Sequence, residues 1–496
     1  MVSVVLPSSL QEASSLQVAA GAAVATFLAY KLLFPSKAPH ERYAAKHGLK
    51  NFLEMDEQPW LRVVPSLPEM LMVASPALIE DITKTQNDIF GKGDTQRELF
   101  VDQLGNGFFA QDGESWFHQR KVASKFFSAR MFRDVATKLI NKHARVFFNV
   151  LERARVNNEA VDMTQLTKQF TLETFAELGF GLEMNAIGSK EDHALSRAMD
   201  EALPQVIFRL QVPSVIWKTQ RFFNIGGERK HKEVTDFIRK SVNDVVVKCI
   251  DKIEREGRRQ EAATVVELFI HAMKDGETEF SAEVLSNVAI MFMMAGRDTT
   301  ADTLSWFLYT LSKHPEVETK IRAELWDQVP DLMEGKIDFL DMEQTHGLVY
   351  LEAAIKETLR LYPVVPLSAR QASRDTVLVD GTFVPKGTVV GLATYAMGRL
   401  KSVWGEDAAE YKPERFIDET TGKLTTISSF QFFSFHAGPR VCIGMNLAML
   451  EMKLLLSAMM SRFHLDIAPN SGAYNVNASL TVKEPIMAHV RLTKSN

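Results

Sequence analysis

Cysteine is nearly absent from this sequence: only Cys249 and Cys442 occur among 496 residues. Two thiols form at most one disulfide and cannot supply a cysteine-rich zinc site, so we expect a protein kept in a reducing compartment. Positive charge is not in excess, because the formal net charge is -5, and this argues against a general nucleic-acid binder. Internal repeats and low-complexity linkers are also missing. With 46% hydrophobic residues, the chain has enough apolar material for a large core.

Basic residues are missing before Lys31, which argues against a secretory signal and an arginine-rich transit peptide. An apolar run fills much of that stretch and spans roughly 28 Å as a helix, close to the thickness of a hydrocarbon core. We therefore expect a single-pass membrane helix at about 16–34, within an N-terminal segment 1–34, followed by one domain at 35–496. Because basic residues follow the run, the positive-inside rule places this domain in the cytosol. An amphipathic or buried helix is the alternative.

Hydrophobic periodicity predicts a mainly α-helical body with minor β-sheets. Helical patterns dominate to about residue 363, after a Pro-rich strip at Pro59–Pro76 that is typical of a small sheet. Turn signals indicate short hairpins between Val377 and Val390. A last helix should follow Cys442, and the tail Leu480–Leu492 alternates like strands.

The most specific pattern surrounds Cys442 and runs Phe-His-Ala-Gly-Pro-Arg-Val-Cys-Ile-Gly, from Phe435 to Gly444. An apolar run follows it, which places the cysteine in a tight loop entering a helix, where amide donors and the helix dipole favour a thiolate. Gly438 permits a turn that a Cβ would forbid, and Gly444 leaves a face on which a flat macrocycle can rest. An iron-binding cysteine needs such a shielded, ionised sulfur. The alternative is a buried, inert cysteine.

A second pattern, Ala295-Gly-Arg-Asp-Thr-Thr300, lies midway in a helical stretch at about 281–313. Ala295 and Thr299 are one turn apart, so both can face one pocket. Gly296 is expected to let the helix bend, and the Thr299 hydroxyl to engage a carbonyl one turn back. Asp298 and Thr299 together suit proton transfer to a bound reactant. Taken alone, these residues are more typical of a solvated helix face.

The cysteine pattern resembles the haem-binding loop of the cytochrome P450 family, and the family's other landmarks follow in the correct order. The resemblance implies the P450 fold, with haem b between a long central helix and the loop that bears Cys442, its iron ligand. It also implies that the chain inserts one oxygen atom of O₂ into a C–H bond, and that Asp298 and Thr299 guide protons to the bound oxygen. Some fatty-acid hydroxylases of the family carry a glutamate at the position of Ala295, so no covalent haem tether is expected.

Further residues are matched to the family one by one. Trp116 and Arg120 form a Trp-x-x-x-Arg pattern on one helix face, and with Arg370 and Arg440 they are expected to meet the haem propionates. The side chains expected to hold the haem, other than the iron ligand, are Trp116, Arg120, Ala295, Arg370, Phe435, Gly438, Arg440 and Gly444.

A separate structural network is expected behind the cysteine loop. Glu357 and Arg360 are three residues apart and can pair on one helix face. In the family such a pair joins an arginine of a downstream Pro-Glu-Arg-Phe segment, here Arg415. The resemblance therefore implies a buried network that supports the loop.

Electrons must come from outside, because the sequence has no nicotinamide or flavin phosphate loop. The family implies an NADPH-dependent cytochrome P450 reductase in the same endoplasmic reticulum membrane, with cytochrome b5 as a second possible donor. A concentration of basic residues in one segment suggests where an acidic electron donor docks. An ordinary solvated helix face is the alternative. The basic residues are Arg120, Lys121, Lys125, Arg130 and Arg133.

The residues of these motifs are similar to those of the plant and fungal P450 clans that hydroxylate fatty acids at the terminal carbon. A membrane setting suits a lipid substrate. The expected pocket residues are Phe100, Met291, Phe292, Val365, Pro366 and Leu480. Alternatives are a sterol, terpenoid or alkane substrate, a haem-thiolate isomerase or dehydratase, and a non-catalytic haem sensor or electron carrier.

Overall fold

The computed structural model describes residues 60–62, 70–105, 107–256, 264–274, 282–477 and 479–493. The predicted membrane helix at 16–34 lies outside these ranges and stays a prediction. Within the described ranges, no helix combines the length and apolarity that crossing a membrane requires.

Helices make up most of the described chain, which confirms the predicted class. A π-helical turn at Asp81–Thr85 continues the first helix, and another at Phe132–Ala136 joins the fourth to the fifth. The α-helices are α1 Pro76–Glu80, α2 Gly93–Leu104, α3 Gly113–Phe126, α4 Ala129–Met131, α5 Thr137–Asn157, α6 Met163–Phe180, α7 Ala194–Gln211, α8 Ser214–Phe222, α9 Gly226–Glu256, α10 Val265–Lys274, α11 Ala282–Lys313, α12 Pro315–Gln328, α13 Pro330–Met333, α14 Val349–Leu361, α15 Thr394–Met397, α16 Lys401–Trp404 and α17 Met445–Arg462.

The strands are short and form small sheets, as expected. They are β1 Trp60–Arg62, β2 Met70–Val73, β3 Phe90–Gly91, β4 Ala160–Asp162, β5 Ser368–Ala372, β6 Thr376–Val377, β7 Phe383–Val384, β8 Val389–Leu392, β9 Phe463–Ile467, β10 Tyr474–Asn477, β11 Ser479–Val482 and β12 Met487–Leu492. The described strands form a five-stranded sheet in the order β1-β2-β8-β5-β3, a three-stranded sheet β4-β12-β9, and the pairs β6-β7 and β10-β11. Strand β2 runs parallel to β8, with Leu71 opposite Val390.

The hairpin prediction between Val377 and Val390 is correct only in part. Strands β6 and β7 do pair as a hairpin, with Val377 opposite Phe383. Strand β8 leaves that hairpin and joins the five-stranded sheet between β2 and β5. Its four residues are all buried, so β8 gains more by filling the centre of a larger sheet than by extending an exposed hairpin.

Helix α11 crosses the core and organises the site. It has 32 residues, which corresponds to roughly 48 Å of helix axis. Its central side chains are buried on several sides, with Ile290 and Phe307 fully enclosed, so its sequence lacks the polar stripe of a surface helix. It ends before Pro315, which begins α12 and cannot continue the helix.

The hairpin β10-β11 is attached to α11 by a buried indole. Trp306 donates its Nε1–H to the carbonyl of Leu480 at 2.8 Å, and its ring stacks on Tyr362 with centroids 4.2 Å apart. The Leu480 amide in turn donates to the carbonyl of Val364 at 2.8 Å. Strand β11 is thereby held between α11 and the segment that follows α14.

Candidate active site

The cysteine loop lies against backbone from another part of the chain. His436 has a φ of 58° and Gly438 a φ of 66°, so the loop turns through the left-handed region twice. A Cβ at Gly438 would lie 2.2 Å from the carbonyl oxygen of Thr83. Because a backbone carbonyl cannot move aside easily, only glycine fits this position.

The Cys442 sulfur lies at the N-terminus of α17, as the sequence predicts. Its own amide donates to the Phe435 carbonyl at 2.7 Å, which closes the loop. Burial among surrounding protein raises the pKa of the Cys442 thiol, while the amides of Gly444 and Met445 and the charge of Arg120 act in the opposite direction. The side chain nevertheless has open space in front of it. The sulfur thus faces an opening whose walls are protein.

The second feature predicted from the sequence is a notch in the middle of α11. Ala295 is exposed there, although Phe292 and Thr300 beside it are buried. The Thr299 hydroxyl donates to the Ala295 carbonyl at 2.8 Å, the bond that the sequence suggests. A Cβ at Gly296 would lie 2.2 Å from the Phe175 ring of α6, while the bend predicted at this glycine stays a prediction. Glycine is needed for the close approach of two helices.

Asp298 points to a polar neighbourhood beside the notch. Its Oδ1 lies 3.0 Å from Nη1 of Arg297, and burial raises the pKa of its carboxyl group above the usual range. The side chain is only 13% exposed and lines a cavity of about 240 Å³.

A buried cationic cluster lies beside the cysteine loop. Arg440 donates to the Gln111 carbonyl at 3.1 Å and pairs with Asp112, and its guanidinium lies over the Trp116 ring at 4.5 Å. Arg370 is 2% exposed, and its Nε has no hydrogen-bond partner. Burial, then repulsion by Arg440, lowers the pKa of Arg370 to about 10.

Lys92 completes this cluster and was not identified from the sequence. It is 9% exposed, and burial, then Arg370 and Arg440, lowers its pKa well below the usual range. The cluster therefore brings three basic side chains close to the carboxylate of Asp112. A lone lysine gives no sequence signal, so only the fold could reveal it. Burial, then the charges of Arg370 and Lys92, also lowers the pKa of His436 to about 3, which keeps its imidazole neutral.

Arg120 lies near enough to the cluster for its charge to act on Arg440. It donates to the carbonyl of Val441 inside the cysteine loop, and it acts on the charge of Cys442. Trp116, one turn earlier on α3, lies under Arg440 instead. The predicted Trp-x-x-x-Arg pair thus contacts two different points of the loop.

The three residues of the predicted structural network lie in contact with one another. Arg360 donates to both carboxylate oxygens of Glu357, at 2.6 and 2.7 Å, and Arg415 lies 3.3 Å from the same carboxylate. Glu357 and Arg360 are 0% and 2% exposed. The Ser434 hydroxyl donates to the Leu359 carbonyl at 2.8 Å, which ties the start of the cysteine loop to α14.

The predicted pocket residues occupy two kinds of place. Phe100, Val365 and Pro366 are half-buried. Met291, Phe292 and Leu480 are buried. The Phe292 ring lies 5.7, 6.0 and 6.3 Å from the rings of Phe108, Phe127 and Phe175, so this side chain packs in the core.

A mainly helical fold, with a cysteine at the N-terminus of a late helix and a threonine bonded to a carbonyl in the middle of a long central helix, is the arrangement expected of a haem-thiolate protein. The cytochrome P450 family model matches residues 45–488. The chain belongs to the cytochrome P450 family and is a monooxygenase whose cofactor is haem b.

Relatives and solved structures agree with this assignment. The chain is 30% identical over 419 residues to Cytochrome P450 86B1 of Arabidopsis thaliana, covering 82% of this chain and 74% of the relative. It is 34% identical over 421 residues to Cytochrome P450 704C1 of Pinus taeda, covering 81% and 80%. A cytochrome P450DA haem domain superposes with a TM-score of 0.73 at 21% identity, covering 88% of this chain and 90% of that domain. This last likeness shows the shared fold.

The residues present fit haem b. The Cys442 side chain and Ala295 are both exposed, as residues that contact a bound group would be. Gly444 lies beside the sulfur, and a Cβ built there would make an ordinary contact with it at 4.0 Å. The basic groups of Lys92, Arg370 and Arg440 lie together, and a bound carboxylate such as a propionate would favour their charged forms. The unpartnered Nε of Arg370 is a donor available to such a carboxylate.

The buried network generates the first prediction. Arg360→Ala should lower the free energy of unfolding by about 3–5 kcal/mol, because the buried charge of Glu357 would lose its two-bond partner and keep only the longer contact to Arg415. Arg491→Ala is the matched control, since its ion pair with Asp466 is solvent-exposed and should contribute little. Urea unfolding followed by circular dichroism measures both variants. Equal losses would contradict a special role for the buried pair.

Proposed function

We propose that Cys442 ligates the haem iron and that Asp298 and Thr299 deliver protons across the notch of α11. The bound haem supplies oxygen activation at a thiolate-ligated iron. The position of the sulfur supports the first assignment, because it lies at a helix N-terminus with two amides directed at it. Phe435, Gly438 and Gly444 would shape the loop around it.

The proton assignment is supported by the two adjacent residues of α11. The Thr299 hydroxyl uses its proton to bond the Ala295 carbonyl, so its oxygen lone pairs remain free to accept a hydrogen bond from the notch. Asp298 holds a carboxyl group whose raised pKa lets it carry a proton nearer neutral pH than a solvated aspartate. The Ala295 side chain leaves the approach clear.

The propionates of the haem would bind to the cationic cluster. Arg370 and Arg440 are the two arginines in it, and Trp116 holds Arg440 in place through its ring face. Lys92 joins them as a third cation. Arg120, which also bonds the Val441 carbonyl of the cysteine loop, would bind a propionate together with Trp116.

The substrate is proposed to be a fatty acid, hydroxylated at or near its terminal carbon. The carrying observation is that the half-buried side chains of the predicted pocket and two exposed side chains next to them are apolar. Leu367, next to Val365 and Pro366, is 39% exposed, and Phe109, whose ring contacts Phe100, is 44% exposed. Apolar walls favour binding of an alkyl chain. The residues of the motifs also resemble those of fatty-acid hydroxylases. A sterol, terpenoid or alkane is the alternative.

The electron donor is proposed to be an NADPH–cytochrome P450 reductase, with cytochrome b5 as a second donor. Lys121, Lys125, Arg130 and Arg133 are exposed on α3 and the segment after it. A concavity of about 620 Å³ lies on the same side of the cysteine loop, with Phe127, Phe435 and Met445 among its walls. An acidic donor placed here would be close to the sulfur. The predicted anchor would hold both proteins at the endoplasmic reticulum membrane, with the catalytic domain in the cytosol.

The substrate proposal is tested with the full chain, a reductase and NADPH. Lauric and oleic acid should stimulate NADPH oxidation and give products hydroxylated near the terminal carbon, identified by mass spectrometry. A sterol, a terpenoid and an alkane form the comparison panel. Turnover confined to one of those three would replace the fatty-acid proposal.

Cys442→Ser should abolish the red-shifted band of the reduced carbon-monoxide complex that a thiolate ligand produces. A serine oxygen is a weaker, harder ligand and cannot donate charge in the same way. Cys249→Ser is the control, because that thiol donates to the backbone carbonyl of Phe180 in α6 at 3.3 Å and is not part of the cysteine loop. Retention of the band in Cys442→Ser would show that another residue binds the iron.

Thr299→Ala should leave haem binding intact and lower product formed per NADPH several-fold, with the missing electrons recovered as peroxide. The reason is the loss of the hydroxyl that receives protons in the notch. Thr310→Ala is a matched control on the same helix. The Thr310 hydroxyl likewise donates to the carbonyl one turn back, that of Trp306, at 2.7 Å. Unchanged coupling in Thr299→Ala would remove this residue from proton delivery.

A further inference from the structure

Helix α11 carries a second buried carboxyl group, one turn after Asp298. Asp302 is 1% exposed, and its Oδ2 has no hydrogen-bond partner. Residues four apart share a helix face, and both side chains line the same cavity. In sequence, an aspartate at this spacing is typical of a solvated helix surface, so its burial is informative.

The cavity connects this face of α11 with the protein surface. Its volume of about 240 Å³ has room for several water molecules. At its rim, Asp200 of α7 and Lys168 of α6 are 39% and 29% exposed. Its walls are Thr164, Lys168, Asp200, Leu203, Asp298, Asp302, Asn475, Ser479, Thr481 and Val482.

Charge is unevenly shared among the groups that face this cavity. Arg297 lies 3.0 Å from both Asp200 and Asp298, and Lys168 lies 3.8 Å from Asp200. Three carboxyl groups thus face two cations, and no ion pair is described for Asp302. Strands β10 and β11 contribute only neutral groups to the cavity wall, Asn475, Ser479 and Thr481 among them.

The protonation of Asp302 follows from this arrangement. Burial, then repulsion by Asp298, raises the pKa of its carboxyl group to about 7, and a hydrogen bond from Ser479 opposes the rise. A group with this pKa is partly protonated at neutral pH and can both release and regain a proton.

We propose that Asp302 is the entry relay for protons that reach the active site through Asp298. This deepens the proposed function and rests on the roles given there to Asp298 and Thr299. Each turnover converts substrate, O₂, two protons and two electrons into hydroxylated substrate and water, with the electrons coming from the reductase. In each transfer the O–H bond of Asp302 breaks and one forms at the Asp298 carboxylate, directly or through cavity water. Water in contact with the surface then reprotonates Asp302.

Asp302→Asn tests the relay in the haem-loaded enzyme with saturating reductase. Amide and carboxyl are nearly isosteric, but the amide cannot carry the proton. Product per NADPH should fall at least about tenfold, less than the ~10²–10⁴ of a group that acts directly on the reacting atoms. The solvent deuterium isotope effect should rise. Ser305→Ala is the control, because that buried hydroxyl bonds Ala301 on the same helix.

The pH profile separates a relay from a structural role. A raised pKa means that Asp302 loses its proton as pH rises through about 7, so the wild-type rate should fall across that value. Asp302→Asn should lose this limb. Ser479→Ala should shift it to higher pH, because the ionised carboxylate loses a stabilising hydrogen bond.

An infrared titration of the resting enzyme provides a readout without turnover. The difference spectrum between wild type and Asp302→Asn removes the contribution of Glu451, another buried carboxyl group with a raised pKa. It should show the carbonyl stretch of a buried protonated carboxyl group that disappears as pH rises through the same value. Asp302→Asn should lack the band, and Ser479→Ala should move its midpoint upward.

The outcomes separate this inference from the proposed function. If Asp302→Asn keeps the band, or behaves like Ser305→Ala in coupling, isotope effect and pH profile, the relay is wrong. A lower rate with an unchanged pH profile and isotope effect also overturns it, since that indicates a structural role. If Thr299→Ala still uncouples in those cases, the proposed proton delivery stands without Asp302. If Thr299→Ala is unchanged as well, both fail.

Discussion

The buried pair of Glu357 and Arg360 is the interaction on which the site depends. Arg360 bonds the carboxylate and also the carbonyl of Ala408 at 2.6 Å, so one guanidinium joins α14 to a segment with little regular structure. Ser434 then ties the cysteine loop to the end of α14. Loops of this kind have few hydrogen bonds of their own, and a charged pair without water around it holds them in one geometry.

Two regions near α11 and the cysteine loop have unequal numbers of basic and acidic side chains. On one side, Lys92, Arg370 and Arg440 exceed the carboxylates near them, which suits an anionic cofactor edge. On the other, Asp298 and Asp302 belong to a cavity with more carboxyl groups than cations, which suits proton storage. Burying a charge without a partner costs free energy. Each imbalance therefore indicates the charged species that binds there, a carboxylate in the first case and a proton in the second.

For several residues, the contacts that explain their role are visible only in the tertiary structure. Gly296 was predicted as a bend point of α11, and the fold shows in addition that it lets Phe175 of α6 approach. Phe292 was predicted for the pocket, and the fold shows in addition that its ring packs near three other phenylalanines. Asp302 drew no attention in the sequence, because the groups that surround it come from α6, α7 and β11. Local patterns report neighbours along one helix and cannot report those contacts.

The sequence by itself determined the mainly helical class, the span of α11, the helix after Cys442 and the pairing of Glu357 with Arg360, because each depends on spacing within one short segment. Tertiary structure decided the order of strands in the five-stranded sheet, the entry of Lys92 into the cationic cluster and the cavity beside Asp302. Those features join residues far apart along the chain, and their energies depend on burial, which exists only once the segments have packed.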